Sequence, residues 1–220
     1  MSPGRAPRRT QAERSQATRQ LILDAAVDVL AAKGYAGFRT ADVAAIAGVS
    51  RGAQTHHFPA KDDLVVGVVA HVFERAAALG RQRAHRVRSS DAAIKALIAD
   101  SREFFFSELF LIALDLAIQG RANAGTANAV REISVASRLP VEASWLAALV
   151  DTGVPRALAE DLLWLTISIV RGLAVRRLWQ HDAARFERLF KLWRQMVARH
   201  LQALAPASPR LARSLSRWPR

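Results

Sequence analysis

The chain contains no cysteine, which excludes disulfides and thiolate metal sites. It also lacks a long hydrophobic run. A nearly uninterrupted apolar stretch such as Leu162 to Val170 is too short to cross a bilayer, which takes about 20 residues. The opening segment MSPGRAPRRTQAERSQ carries arginines but no apolar core, so no secretory signal is expected there. Enzyme signatures are missing as well: there is no phosphate-cradling glycine-rich loop, no HExxH and no Gly-x-Ser-x-Gly elbow. No strand pattern supports a dinucleotide fold, and no internal repeat is visible. These absences point to a non-enzymatic protein of the cytoplasm, with no cofactor, no metal and no membrane association.

What is present is helical. The 220 residues are 51% hydrophobic, with abundant Ala, Leu and Val, enough for one large domain or two modest ones to bury a core. The net charge of +13 is unevenly placed. Residues 1–20 hold Arg5, Arg8, Arg9, Arg14 and Arg19 against Glu13, and residues 205–220 hold Arg210, Arg213, Arg217 and Arg220 with no acid. A third cluster is Arg75, Arg81, Arg83, Arg86 and Arg88. By contrast, residues 21–73 carry Lys33, Arg39, Arg51 and Lys61 against Asp24, Asp28, Asp42, Asp62 and Asp63, a net of −1. Basic tails attract phosphates without discriminating sequence, and they serve equally as solubilising arms.

Residues 18–64 carry the most information. An amphipathic helix over about Thr18 to Lys33, stopped by Gly34, runs into a helix-turn-helix pattern. Thr40 has the side chain to cap a two-turn helix, Ala41 to Ala47. Gly48 supplies a left-handed stop, Val49 an apolar plug, and Ser50 a cap for a second short helix, Arg51 to His57. Ala44 and Gly48, four apart, leave room for the two helices to cross closely. A helix held this way can lie in a major groove and offer side chains to base edges. His56 and His57 do not suggest a metal site, because adjacent helical residues point about 100° apart and no third ligand has suitable spacing.

The combined pattern resembles the tetracycline-repressor (TetR) family of bacterial transcriptional regulators. The matching parts are Ile22-Leu23-Asp24-Ala25-Ala26 through Ala32-Lys33-Gly34-Tyr35, Phe38-Arg39-Thr40, Val43-Ala44-Ala45-Ile46-Ala47-Gly48-Val49-Ser50, and His57-Phe58-Pro59-Ala60-Lys61-Asp62-Asp63-Leu64. The resemblance is close over roughly residues 15–75 and looser beyond. It implies an all-α fold: a three-helix DNA-binding domain followed by a helical ligand-binding and dimerisation domain. On that basis Arg51, Gln54, Thr55 and His56 face DNA, while Val49, Ala53 and Phe58 hold the recognition helix in place. Arg39, Thr40, Ser50, Gly52, His57 and Lys61 complete the expected DNA-binding set, with Thr40, Ser50, His57 and Lys61 towards phosphates. Where the family often has Leu-Tyr late in that helix, this chain has Gln54-Thr55, which adds hydrogen-bonding groups and removes the tyrosine.

The expected domains are a basic arm over 1–17, the DNA-binding domain over 18–75, a regulatory domain over 76–205 and a basic tail over 206–220. A fourth helix starts near Ala60 with Leu64, Val65, Val68, Val69, Val72 and Phe73 as its buried stripe. Beyond it, helices are expected over Ser90 to Phe106 and Glu108 to Gln119. Residues 120–126 form a break before a helix that reaches Val150, kinked or interrupted at Pro140. Two further helices follow, over Arg156 to Gln180 and Ala184 to Leu204. Phe104, Phe105, Phe106, Phe110, Trp145 and Trp164, with Asp115, Ser168 and Arg171, make a candidate pocket for a small hydrophobic effector, although plain core explains the same aromatics. Leu162, Leu165, Ile169, Phe190, Trp193 and Val197 make a candidate homodimer interface, with burial inside one copy as the competing account.

The expected function is therefore a homodimeric, ligand-responsive repressor on a palindromic operator in double-stranded DNA. A non-specific architectural DNA-binding protein and an all-helical small-molecule binder are the alternatives.

Overall fold

The computed structural model describes residues 10–118 and 124–204. Of the expected arm over 1–17, break over 120–126 and tail over 206–220, residues 1–9, 120–123 and 206–220 lie outside the described residues, while 11–17 belong to the first helix and 124–126 to the seventh. Those described form nine helices and no strand: α1 Gln11–Gly37, α2 Thr40–Ala47, α3 Arg51–His57, α4 Lys61–Arg86, α5 Ser90–Phe105, α6 Glu108–Ile118, α7 Ala124–Asp151, α8 Arg156–Arg176 and α9 Ala183–Leu204. They divide into two compact units. One comprises the described residues up to Gln82 with Glu103–Ala143; the other comprises Arg83–Arg102 with the described residues from Ser144 onward.

In the first unit α1 starts seven residues earlier than the periodicity alone suggests. The reason is a capping box: the Thr10 hydroxyl accepts from the Glu13 N–H at 3.2 Å, and the Glu13 carboxylate accepts from the Thr10 N–H at 2.7 Å. Near its other end Gly34 has φ 62° and ψ 178°, which breaks the helical path where the sequence places a stop. Ile22, Leu23, Ala26, Val29 and Leu30 bury one face of α1 in a core that includes Phe38, Val43, Leu64, Val65 and Val68. The α4 stripe is buried as expected, apart from a half-buried Val72. Lys33 ties α1 to α2 through Asp42 at 2.7 Å.

α7 runs through Pro140 without interruption. Proline removes the donor to the carbonyl four residues back, but Ala136 and Pro140 both lie on an exposed side, where the lost bond costs least. α7 is also the one described helix long and apolar enough to cross a membrane. It nevertheless carries Arg138, which is 8% exposed and lies 4.2 Å above the Phe104 ring. An arginine buried among aromatic rings fits a core helix better than a lipid-facing one.

The second unit is built on Ile94, Leu97, Trp145, Leu149, Leu163 and Val170, all buried. Its buried carboxylate, Asp100, accepts from Arg83 Nη1 at 3.0 Å and from Trp145 Nε1 at 3.2 Å, so the charge is partnered inside the core. Gly153, at φ 91°, makes the turn between α7 and α8. α8 ends at Arg176, four residues short of Gln180, in a turn that closes with Gln180 N–H on the Arg176 carbonyl at 3.0 Å.

Candidate nucleic-acid interface

The reading head is assembled by two tight turns. Gly48 sits at φ 65°, ψ 30°; its N–H reaches the Ala45 carbonyl, and Val49 N–H reaches Ala44 at 3.1 Å. This double closure ends α2 and sets the path into α3. Ser50 then caps α3 by accepting from Ala53 N–H at 3.1 Å. Thr40 does not cap α2: it is the first helical residue, and Arg39 occupies the cap position with no side-chain bond.

Each predicted contact residue has a definite place. Arg51, Gly52, Thr55 and His56 are exposed along α3, with Ser50 exposed at its start and His57 half-buried at its end. Arg51 and Thr55 are one turn apart, and the exposed Thr55 donates from Oγ1 to the Arg51 carbonyl at 2.9 Å. Gln54 departs from the expectation. It is 3% exposed, and its Nε2 donates to the Phe58 carbonyl at 3.1 Å. The amide that reads as a base-contacting group from sequence thus holds the C-terminal end of α3.

The other lysines and arginine of residues 21–73 are engaged. Arg39 Nη1 donates to the Ala36 carbonyl at 2.9 Å. Lys61, expected at a phosphate, donates to the Tyr35 carbonyl at 2.8 Å and lies 4.2 Å over the Tyr35 ring. Arg51 is exposed with no ion pair or hydrogen bond from its guanidinium among the described residues. In a segment of net charge −1, this side chain is ready to meet a phosphate or a guanine edge.

Sequence reasoning missed the junction behind α3. Tyr35 Oη donates to Asp62 Oδ1 at 2.8 Å, and Thr126 Oγ1 donates to Asp62 Oδ2 at 3.2 Å. The Asp62 carboxylate holding the phenolic proton pushes Tyr35 above its ordinary range, with burial adding to the shift. A long-range contact between Tyr35 and Thr126 through one carboxylate leaves no periodic trace in a sequence. Gly67 is a second feature of this kind. A β-carbon there would lie 2.8 Å from Phe58 Cε1 and 3.3 Å from Leu23 Cδ2, so the absence of a side chain lets α4 approach both.

The candidate pocket residues divide between the units. Phe104, Phe105 and Phe110 are buried together, with ring centroids 4.9–5.7 Å apart, and Phe73 packs on Phe104 at 4.8 Å. Phe106 is half-buried and Asp115 exposed. In the second unit Trp145 is buried on Asp100, Trp164 is 71% exposed, and Ser168 and Arg171 are exposed on α8. Among the candidate dimer residues, Leu162, Phe190 and Val197 are buried within the unit, Ile169 and Trp193 are half-buried, and Leu165 is 50% exposed. Trp193 Nε1 donates to Thr166 Oγ1 at 3.0 Å and locks α9 to α8. Beside these lie exposed Trp179, Leu192 and Met196, lining an apolar groove of about 520 Å³ between α8 and α9.

Comparison with known proteins agrees with this geometry. A family model described as bacterial regulatory proteins of the tetR family matches residues 22–68. The HTH-type transcriptional regulator CymR of Pseudomonas putida is 44% identical over 189 residues, covering 86% of this chain and 92% of that protein. A TetR-family regulator structure from Agrobacterium tumefaciens superposes with a TM-score of 0.59 at 21% identity, over 83% of this chain and 98% of the other. The multidrug binding protein EbrR complexed with proflavin gives 0.52 at 25% identity, over 83% and 98%. The chain belongs to the TetR family of helix-turn-helix, DNA-binding transcriptional regulators.

Proposed function

We propose that the protein is a ligand-responsive repressor that acts in the bacterial cytoplasm as a homodimer on a palindromic operator. The observation that carries this reading is the outward stripe of Arg51, Thr55 and His56 on a helix fixed at both ends by its own side chains. Arg51 pairs with a guanine edge, the Thr55 methyl meets a thymine methyl, and His56 reaches a neighbouring base. Ser50, Gly52, Thr40 and His57 lie against the phosphates, and Arg39 and Lys61 contact them once released from their carbonyls. Gln54 reads adenine only if it leaves Phe58, so its first role is to hold α3. The functional division places the DNA-binding domain over 18–75 and the regulatory domain over 76–205.

The dimer interface is the face of α8 and α9 where Leu165, Ile169 and Trp193 adjoin Trp164, Trp179, Leu192 and Met196. That much exposed apolar surface is rare on a monomer and suits a self-complementary contact between two copies. The effector is a small hydrophobic molecule bound near the phenylalanine cluster of Phe104, Phe105, Phe106 and Phe110, with Asp115 as a polar candidate within the same unit. A related fold solved with proflavin supports this class of ligand. The effector shifts the population of head spacings, so it must bind the two arrangements with different affinity.

The deciding experiment is recovery and sequencing of genomic fragments bound by the purified protein at near-physiological salt. One enriched palindrome, with half-sites about one helical turn apart, is the expected result. Random fragments with a steep salt dependence would overturn it and leave an architectural DNA-binding protein driven by the basic tails.

A further inference from the structure

Within the second unit, α5 and α9 enclose a groove of about 530 Å³, within the range of small-molecule sites. The two helices run antiparallel along it, because rising numbers on α5 pair with falling numbers on α9. Arg194 Nη2 meets Asp91 Oδ2 at 2.7 Å across one end, and Arg102 meets Glu187 across the other. Between these crossbars the floor is apolar: Ile98 and Phe190 are 6% and 5% exposed, and the Arg102 guanidinium lies 4.6 Å over the Phe190 ring.

The walls are unequal in charge. Lys95 stands one turn from Asp91 on α5, and Lys191 one turn from Glu187 on α9; both are exposed and both line the groove. The two carboxylates are already taken by the arginines. Asp91 accepts both the Nε and the Nη2 of Arg194, which holds its carboxyl below the usual carboxylate range. Lys95 adds a weaker electrostatic attraction to Asp91, but neither lysine makes an ion pair or hydrogen bond at contact distance among the described residues. Two ammonium groups on opposite walls of one cleft, above an apolar floor, are complementary to a single anionic head on an apolar body.

We propose that the α5–α9 groove is a second small-molecule site, separate from the phenylalanine cluster, that takes an amphipathic anion. Its carboxylate or phosphate head bridges Lys95 and Lys191, and its hydrocarbon body covers Ile98 and Phe190. The site stays open in the proposed dimer, since α9 faces the other groove with Leu189, Leu192 and Met196. It does not depend on the DNA-binding reading.

The test is calorimetric titration of the full chain with octanoate, octyl phosphate and octanol, repeated on K95Q/K191Q. Both substitutions are at exposed positions and leave the core intact. Binding of at least one of the two anions, tenfold or more tighter than octanol and reduced at least tenfold in the double variant, supports the site. A preference between octanoate and octyl phosphate then identifies the head group. Octanol binding as tightly as both anions, equal binding to the double variant, or no binding of either anion would overturn the proposal. A K95R/K191R variant, which keeps the charge, is expected to bind within a few-fold of the natural chain.

Discussion

Replacing Gly67 by alanine puts the packing behind the recognition helix to a quantitative test. The new methyl would sit 2.8 Å from Phe58 Cε1, where ordinary contact begins at 3.4 Å, so the Phe58 ring must retreat by about 0.6 Å unless α4 moves. Phe58 is 4% exposed and Leu23, on the other side of the methyl, 1% exposed, so neither has free space to enter. Overpacking of this kind costs about 1–3 kcal/mol, while alanine returns about 1 kcal/mol of helix propensity. The net expectation is a loss of about 0–2 kcal/mol, or a melting temperature lower by up to about 8 °C for a chain of this size. The effect on DNA should exceed that on stability. Phe58 receives the Gln54 amide on its carbonyl and donates its N–H to the Gln54 carbonyl at 2.9 Å, so displacing it tilts α3. Loss of one well-aligned base contact weakens binding by about 1–3 kcal/mol, readable as a fivefold or larger change in fluorescence anisotropy titrations with the recovered operator. A higher melting temperature together with undiminished operator affinity would refute the argument, because it would mean that the space at Gly67 is not tight.

Four further outcomes are expected. Arg51→Ala should weaken operator binding by about 1–3 kcal/mol while sparing random DNA; equal losses on both would reduce Arg51 to a phosphate contact. Gln54→Leu leaves the buried Phe58 carbonyl without its donor and should destabilise the fold by about 1–3 kcal/mol in denaturant melts, whereas unchanged stability with lost adenine preference would make Gln54 a base reader. Tyr35→Phe should cost about 1 kcal/mol at neutral pH through the lost bond to Asp62. Because the folded-state pKa of Tyr35 is raised above its unfolded value of about 10, that contribution is fully present below pH 10 and fades as pH rises through the folded pKa. An advantage of the natural chain that grows above pH 10 would contradict the sign. Leu192→Lys with Met196→Lys should yield a monomer of normal helicity in sedimentation; an unchanged dimer would place the interface elsewhere.

Much of the head was legible because its signals are local. Gly48, Ser50 and the apolar spacing of α1 and α4 announce themselves within a few residues, and the structure places them as read apart from an exposed Leu21 and a half-buried Val72. The start of α1 was also local, in the Thr10-to-Glu13 capping box, but a proline- and arginine-rich neighbourhood masked it. Thr40 and Gln54 failed for another reason. Residue type states what a side chain can bond to, and the fold decides whether its nearest partner is a helix end, a carbonyl or solvent. Lys61 is a similar case: a cation at a helix start reads as a phosphate contact until an aromatic ring and a carbonyl from α1 arrive beside it. The burial of Phe190 and Val197, against the exposure of Leu192 and Met196, depends on how the broad apolar face of the amphipathic α9 is turned, which its sequence alone does not fix.

α3 has only seven residues, well below the length at which a helix persists unaided in water. Its first turn is held by Ser50 and its last by Gln54, two side chains drawn from the helix and its flank. The ordering of this segment is therefore completed when the protein folds, and little of it remains to be done on the operator. Encounter with DNA should then be a docking of preformed surfaces, with a small conformational-entropy penalty at the reading helix and a modest heat-capacity change. A seven-residue helix held in this way can search many sequences rapidly without refolding at each one.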